Sequence, residues 1–310
     1  MATNMPPGVH IVQIRYQGDA PARPESDPID TYAQSGAYDP LGAATMAEPT
    51  FPEGERNAEP TVNLGLIGGQ IAQAVAEGRR AGRPTLIVGG SCAVVPGVIG
   101  GLQQAHGAAA RIGLVWFDAH GDFNTPRTTR SGMLGGMPVA VAAGLAYPRW
   151  RELSGQIAPL PTDRMLMVDV RNLDPAEAQL IHATDIVIAA PAPGFSGVDL
   201  HAAVQELAAR CDLLYLHVDA DILDARYVPN HHTKEPNGPS MDQVLAAIDT
   251  VMATGKVGIA ALVSVWTDGE GGDVALASGV ELLRGSMAAW RRHGQPPPER
   301  RPDPRNPQGS

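Results

Sequence analysis

Short apolar runs alternate with stretches of helical spacing along most of this chain, and that alternation restricts the fold more than any other feature. Residues 85–88, 112–117, 165–170, 213–218 and 259–265 are apolar runs of the kind that strands buried on both faces require. Residues 10–15 alternate as a further short strand would. Helical patterns lie between them. In residues 62–82, Leu64, Ile67, Ile71, Val75 and Ala76 share one face, and similar stretches follow at 93–106, 175–182, 200–211, 241–254 and 275–292. Ser240 with Gln243 forms a capping box ahead of one of them. The pattern predicts an α/β domain with a mostly parallel sheet, covered by helices on both faces. In such sheets the functional groups gather beyond the carboxyl ends of the strands. Residues 19–59 are rich in Pro, Gly and Asp without periodicity, and are expected to be a long loop that shapes a surface or a site, or is partly disordered. Residues 1–293 are expected to form one domain, and the Pro- and Arg-rich residues 294–310 a disordered tail.

Composition narrows the function classes. The 310 residues carry a net charge of −10 without a basic stripe, which argues against a nucleic-acid backbone as the main partner and suits a small cationic substrate better. Two cysteines, Cys92 and Cys211, make no disulfide framework, so the expected compartment is a reducing cytoplasm. Residues 1–8 do not read as a signal peptide. Apolar runs are interrupted well before the roughly 18 residues a membrane helix needs, so no membrane partner is expected.

The chemistry concentrates at two strand ends. Val115-Trp116-Phe117 runs straight into Asp118-Ala119-His120-Gly121-Asp122. In an extended segment, residues i, i+2 and i+4 point the same way, so Asp118, His120 and Asp122 converge. A second run, residues 213–218, feeds Asp219-Ala220-Asp221, with His217 on the same face. Buried carboxylates grouped this way are costly without a cation. Oxygen ligands with an imidazole suit Mn²⁺ or a related divalent ion better than a thiolate-type zinc site.

These segments resemble the ureohydrolase (arginase and agmatinase) family. Asp118 to Asp122, continuing as Phe123-Asn124-Thr125-Pro126, and His217-Val218-Asp219-Ala220-Asp221-Ile222-Leu223-Asp224 are similar to two of its signature motifs. Gly89-Gly90-Ser91-Cys92-Ala93 matches in part a third, Gly-Gly-Asp-His-Ser. The resemblance runs from about Val88 to Val265 and implies a three-layer α/β/α fold holding one or two Mn²⁺ ions. It implies hydrolysis of a guanidino-type C–N bond by metal-activated water, in a homo-oligomer. Carried over by position, Asp118 and Asp219 bridge the ions, Asp122 belongs to one, and His120 and Asp221 to the other. Asp221, which orients the water, and His120 are the catalytic members.

Cys92 stands where the family has a metal-binding histidine. It is either a small buried apolar residue or a thiol ligand, and Mn²⁺ does not prefer sulfur. His217 is a candidate replacement, a partner behind the ligands, or a satisfied core histidine. Asn124, Thr129 and Ser131 resemble the loop with which arginases bind an α-carboxylate, and Asp174 and Glu177 the segment that reads the α-amino group. Asp174-Pro175-Ala176-Glu177 is equally a helix start, with its cap, first-turn proline and capping partner. Met133 and Gly135 replace an Asn and a proton-shuttling His, and Trp266 replaces a guanidinium-binding glutamate, for which Asp268 or Glu270 are candidate substitutes. His231 and His232 are expected to be solvated loop residues, with a general acid as the alternative. Three readings follow: a Mn²⁺-dependent amidinohydrolase acting on arginine or an N-hydroxyarginine-like amino acid; an impaired homologue that binds a ligand or partner; or a hydrolase of another amide or amidine.

Overall fold

The computed structural model describes residues 8–39, 42 and 44–293, so the expected tail, residues 294–310, lies outside the described residues. The strands are β1 (Val9–Ile14), the small hairpin β2 (Tyr16–Gln17) and β3 (Ala20–Pro21), β4 (Ala44–Ala47), β5 (Thr85–Gly89), β6 (Ile112–Phe117), β7 (Met165–Val168), β8 (Val187–Ala189), β9 (Leu213–Asp219) and β10 (Val257–Val263). Eight of them form one sheet in the order β4-β1-β5-β10-β9-β6-β7-β8, and every pairing in it is parallel. The helices are α1 (Ile29–Gln34), α2 (Pro60–Arg80), α3 (Val95–His106), α4 (Pro138–Ala142), α5 (Pro148–Leu153), α6 (Pro175–His182), α7 (Leu200–Arg210), α8 (Met241–Met252) and α9 (Gly272–His293).

The period of two along each strand divides the core between the two faces. Leu114 and Trp116 of β6 pack on the side of α2 and α3 with Ile71, Val75 and Val98. Val115 and Phe117 face the opposite way, among Val204, Ile248 and Leu282 of α7, α8 and α9. The result is a three-layer α/β/α architecture. Both strand faces are apolar, which explains why the central strands read as continuous hydrophobic runs.

Two parts of the sheet departed from expectation. The stretch 19–59 is not structureless, since it carries α1 and the edge strand β4. The β4 residues are mostly exposed, so they leave no apolar run in the sequence. β8 is only three residues long and lies at the other edge, too short for a period to register. Two central strands also end earlier than their apolar runs. Asp169 (φ 65°) terminates β7 and Ser264 (φ 61°) follows β10, each turning the chain through the left-handed region.

Candidate metal centre

Register places the site. Phe117 pairs with Val218 across β6 and β9, so the next residues, Asp118 and Asp219, emerge side by side at the carboxyl end of the sheet. β5 delivers Cys92 through Gly89-Gly90. Gly90 sits at φ 71°, and a Cβ there would lie 2.8 Å from Ile14 Cγ2, so the turn accepts only glycine without strain. Gly121 has a different reason: a Cβ would meet Leu173 and Glu177 Oε1 under 3 Å. Its absence lets the start of α6 close over the first motif. Asp122, at φ 45°, is a non-glycine residue held in the left-handed region, a strain of the kind that collects at functional sites.

The side chains converge on the floor of a cavity of about 800 Å³. Cys92, Asp118 and Asp122 form one group, Asp118, His120 and Asp221 a second, and Asp219, Asp221 and His231 a third; within each, one potential ligand atom per residue lies within 4.8 Å of the others. His120 Nδ1 is 3.1 Å from Asp221 Oδ2 and 3.3 Å from Asp118 Oδ1, while its Nε2 faces Glu235 Oε1 at 3.6 Å. Local hydrogen bonds fix the carboxylates: Asp118 accepts from the His120 N–H (2.6 Å), Asp219 from the Asp221 N–H (3.0 Å) and from Ser264 Oγ (2.5 Å). Asp221 accepts from the Ala119 N–H (3.3 Å) and from the Thr233 hydroxyl (3.2 Å).

Electrostatics shows what this donor set requires. Burial, and then the neighbouring carboxylates, push Asp118 well above its usual range; burial does the same to Asp122, and raises Asp219 too. For Asp221 burial is outweighed by hydrogen bonding and charge from His120, which hold it below the usual range. His120 is correspondingly pushed up: the bonds to Asp118 and Asp221 overcome its burial. Four buried carboxylates with only His120 and His231 among them fit a divalent cation, which would replace the protons that otherwise relieve their repulsion.

A pH prediction follows. Carboxylates whose folded pKa stands above the unfolded value of 3.8 contribute stability that is complete below that value and is lost as pH rises through the folded pKa. Metal-free protein should therefore lose stability relative to metal-free Asp118→Asn as pH climbs above about 4. Thermal melts of both in chelator measure the difference; a Tm gap independent of pH would contradict the repulsion.

Cys92 and His217 occupy the back of the site. The buried Cys92 thiol donates to Asp219 Oδ2 at 2.9 Å, with Asp118 Oδ2 at 3.6 Å and His217 Nε2 at 3.4 Å. Burial, then the charges of Asp219, Asp122 and Asp118, push the thiol well up, so it is protonated in the metal-free protein. His217 is fully buried, stacked on Trp116 at 4.2 Å and bonded through Nδ1 to the Tyr215 hydroxyl at 2.7 Å. Burial lowers its pKa to about 3, so it is neutral. It stands behind Cys92 and supports it rather than joining a ligand group.

The other residues singled out in the sequence reach the same cavity. Asn124, Thr129, Ser131, Asp174 and Glu177 line it, together with Met133, Gly135 and Trp266. Asn124 donates to Asp174 Oδ2 (3.4 Å), which also accepts from the Arg130 N–H (3.2 Å), tying the 124–132 loop to the start of α6. Asp174 and Glu177 form the capping box of α6, and Glu177 is buried, accepting from the N–H groups of Phe123 (2.9 Å) and Asp174 (3.2 Å). Asp268 and Glu270 do not reach the cavity. Asp268 pairs with Arg23, and its backbone oxygen is held by Asn230; Glu270 is exposed. A displaced carboxylate from that loop is therefore not the substitute for Trp266.

Sequence reading misjudged His231 and passed over Glu235 and Arg171. His231 is buried against Asp219 and Asp221 rather than solvated, whereas His232 is exposed at the rim. Glu235 backs His120. Arg171 donates to the carbonyls of Asp221, Ile222, Leu223 and Glu235 at 3.0–3.2 Å and to Asp169, a strut that fixes the loop carrying His231 and Glu235. An arginine among carbonyls fifty or more positions away leaves no periodic or spacing signal.

A parallel α/β/α sheet with a carboxylate-rich candidate cation site at its carboxyl end defines the class. Residues 33–277 match the model of the arginase family, and the chain belongs to that family. Among its relatives is an arginase of Bacillus caldovelox, 30% identical over 164 residues, which are 52% of this chain and 54% of that protein. An N(omega)-hydroxy-L-arginine amidinohydrolase of Streptomyces lavendulae is 28% identical over 189 residues, 61% of this chain and 60% of that protein. The chain thus spans between half and two thirds of these curated relatives. The solved structure of the Bacillus caldovelox arginase superimposes with a TM-score of 0.76 at 23% identity, over 91% of this chain and 98% of that one, a likeness of fold.

Proposed function

We propose that this protein is a Mn²⁺-dependent hydrolase of a guanidino-type C–N bond in a small α-amino acid, with an arginine-like or N-hydroxyarginine-like substrate. The carrying observation is the placement of Asp118, His120, Asp122, Asp219 and Asp221 on the floor of a cavity whose rim holds Asn124, Thr129, Ser131 and Asp174. Bound divalent ions would supply an acidified water and polarise the carbon under attack. The chain's own part is binding and orientation. Asp118 and Asp219 would be shared between the ions, His120 and Asp221 would complete the ligands of one, and Asp122 with Cys92 would face the other. The Thr233 hydroxyl and Ala119 N–H fix the Asp221 carboxylate that would orient the water. The rim loop offers hydroxyl and amide groups to an α-carboxylate, and Asp174 a carboxylate to an α-amino group.

Two departures favour the hydroxylated substrate. Trp266 presents an indole at a buried part of the wall and no negative charge. Gly135 is exposed and offers no side chain where a proton shuttle would stand; a Cβ there would lie 3.8 Å from the Met133 side chain. A hydroxyguanidine is less basic than a guanidine, so it asks less of both. The relative named as an N(omega)-hydroxy-L-arginine amidinohydrolase supports the same choice. Both cysteines are unpaired and buried, which suits the proposed reducing cytoplasm. No helix among the described residues is long and apolar enough to cross a membrane. The homo-oligomeric state rests on the family resemblance. Product analysis tests the proposal: Mn²⁺-loaded protein should convert N-hydroxyarginine to the corresponding amino acid with a free terminal amine, and arginine more slowly. Absence of that product from every guanidino amino acid tried would refute it.

A further inference from the structure

We propose that His231 is a metal ligand of this protein, giving the Asp118/His120/Asp221 side of the centre a second imidazole. The inference rests on the metal-centre reading above but assigns a residue outside the ligand set that the family motifs supply. His231 lies in the loop after β9 and is 6% exposed. Its Nε2 is buried without a hydrogen-bond partner and stands 3.8 Å from Asp219 Oδ1. Its Nδ1 stands 3.6 Å from Asp221 Oδ2 and 3.2 Å from Thr233 Oγ1. An imidazole nitrogen buried with no partner is costly unless something absent from the protein's own hydrogen bonds satisfies it. A spacing of 3.8 Å between Nε2 and a carboxylate oxygen is long for a hydrogen bond and suits two ligands of one cation, each about 2 Å from it.

The remaining nitrogen decides the tautomer. Ligation through Nε2 requires the proton on Nδ1, which then donates to Thr233 Oγ1, whose own hydroxyl donates to Asp221 Oδ2 at 3.2 Å. The Thr233 N–H, 3.3 Å from Nδ1, favours the opposite tautomer in the metal-free protein. A bound cation at Nε2 would therefore favour the tautomer whose proton sits on Nδ1, with the Thr233 hydroxyl accepting the hydrogen bond. A ligating histidine whose other nitrogen is held in this way is the usual arrangement in metal sites. The centre becomes asymmetric. One ion has two imidazoles beside its carboxylates, and the other faces Cys92, whose thiol Mn²⁺ disfavours.

Two measurements on the full chain test this. In wild-type protein carrying ¹⁵N-labelled histidine and loaded with one equivalent of Mn²⁺, pulsed EPR should resolve two coupled histidine nitrogens. Mn²⁺ titration should show one tight and one weaker site. His231→Ala should weaken the tight site by roughly 10- to 100-fold and leave one coupled nitrogen, while Cys92→Ser acts mainly on the weaker site and keeps two coupled nitrogens. The wild-type spectrum needs no variant to fold, and melts in chelator confirm that both variants do. A single coupled nitrogen in wild type, or a His231→Ala protein that holds the first ion as tightly, overturns the assignment and leaves the proposed function standing. Failure of wild type to hold Mn²⁺ at all would remove the metal centre, and His231's role with it.

Discussion

Asp118→Asn and Asp219→Asn should each strip the protein of tightly held Mn²⁺ and reduce turnover on the order of a thousandfold or more. The argument is positional. Asp118 belongs to two of the three potential ligand groups, and Asp219 stands between Cys92, Ser264 and the Asp221 N–H with its second oxygen facing His231. An amide in either place keeps the volume but carries no charge and presents one acceptor where the carboxylate presents two. The fold should survive, because each substitution also removes a charge that burial and neighbouring carboxylates oppose. Metal-free Tm is therefore expected to hold or rise, while the rise in Tm on adding Mn²⁺ disappears. Metal analysis after desalting, with melts plus and minus Mn²⁺, separates these effects. A variant that keeps full Mn²⁺ occupancy would show that the carboxylate at that position does not bridge.

The residues that were legible in the sequence share one property: their neighbours along the chain are also their neighbours in the site. Asp118, His120 and Asp122 follow a buried strand without interruption, as do Asp219 and Asp221, so strand geometry alone brings each set together. Register then joins the two sets, because β6 and β9 are adjacent in the sheet. The central strands were equally legible, since burial on both faces forces them to be apolar throughout. What could not be read depends on distance in the sequence. His231 enters the site because Arg171, sixty positions earlier, holds the backbone carbonyls on either side of its loop. Asp268 is kept out because Arg23 engages it from the other end of the chain. The two short edge strands failed for a further reason: β4 is exposed and β8 is brief, so neither has the pattern that burial imposes.

The capping box at Asp174 and Glu177 illustrates how one pair of residues serves two ends. Glu177 is committed to the N–H groups of Phe123 and Asp174, which anchors the first motif to the start of α6. Asp174 keeps part of its carboxylate toward the cavity while bonding Asn124 and the Arg130 N–H. Loop position and helix cap are thus coupled, and a change at either would move the rim.

That coupling sets the expectation for substrate choice. If Asn124, Thr129, Ser131 and Asp174 hold the α-amino acid end, a decarboxylated substrate such as agmatine should be turned over far more slowly than its amino-acid counterpart. Losing charge-assisted hydrogen bonds to one carboxylate costs about 2–3 kcal/mol, or tens to a few hundredfold in kcat/KM. Ser131 is exposed at the rim and, among the described residues, its hydroxyl accepts only from the Met133 N–H, at 3.1 Å, which leaves its proton to a ligand without disturbing the core. Ser131→Ala should accordingly weaken the amino acid severalfold or more and leave agmatine unchanged, since agmatine has no carboxylate to lose. Asn124→Ala should do more, because Asn124 also accepts from Thr128 and ties the loop to Asp174. The measurement is kcat/KM for both substrates in all three proteins. Selectivity should fall toward unity as the rim contacts are removed, with Mn²⁺ occupancy constant throughout. Equal turnover of the two substrates by the wild type would show that the rim does not read an α-carboxylate, even if the metal centre below it is intact.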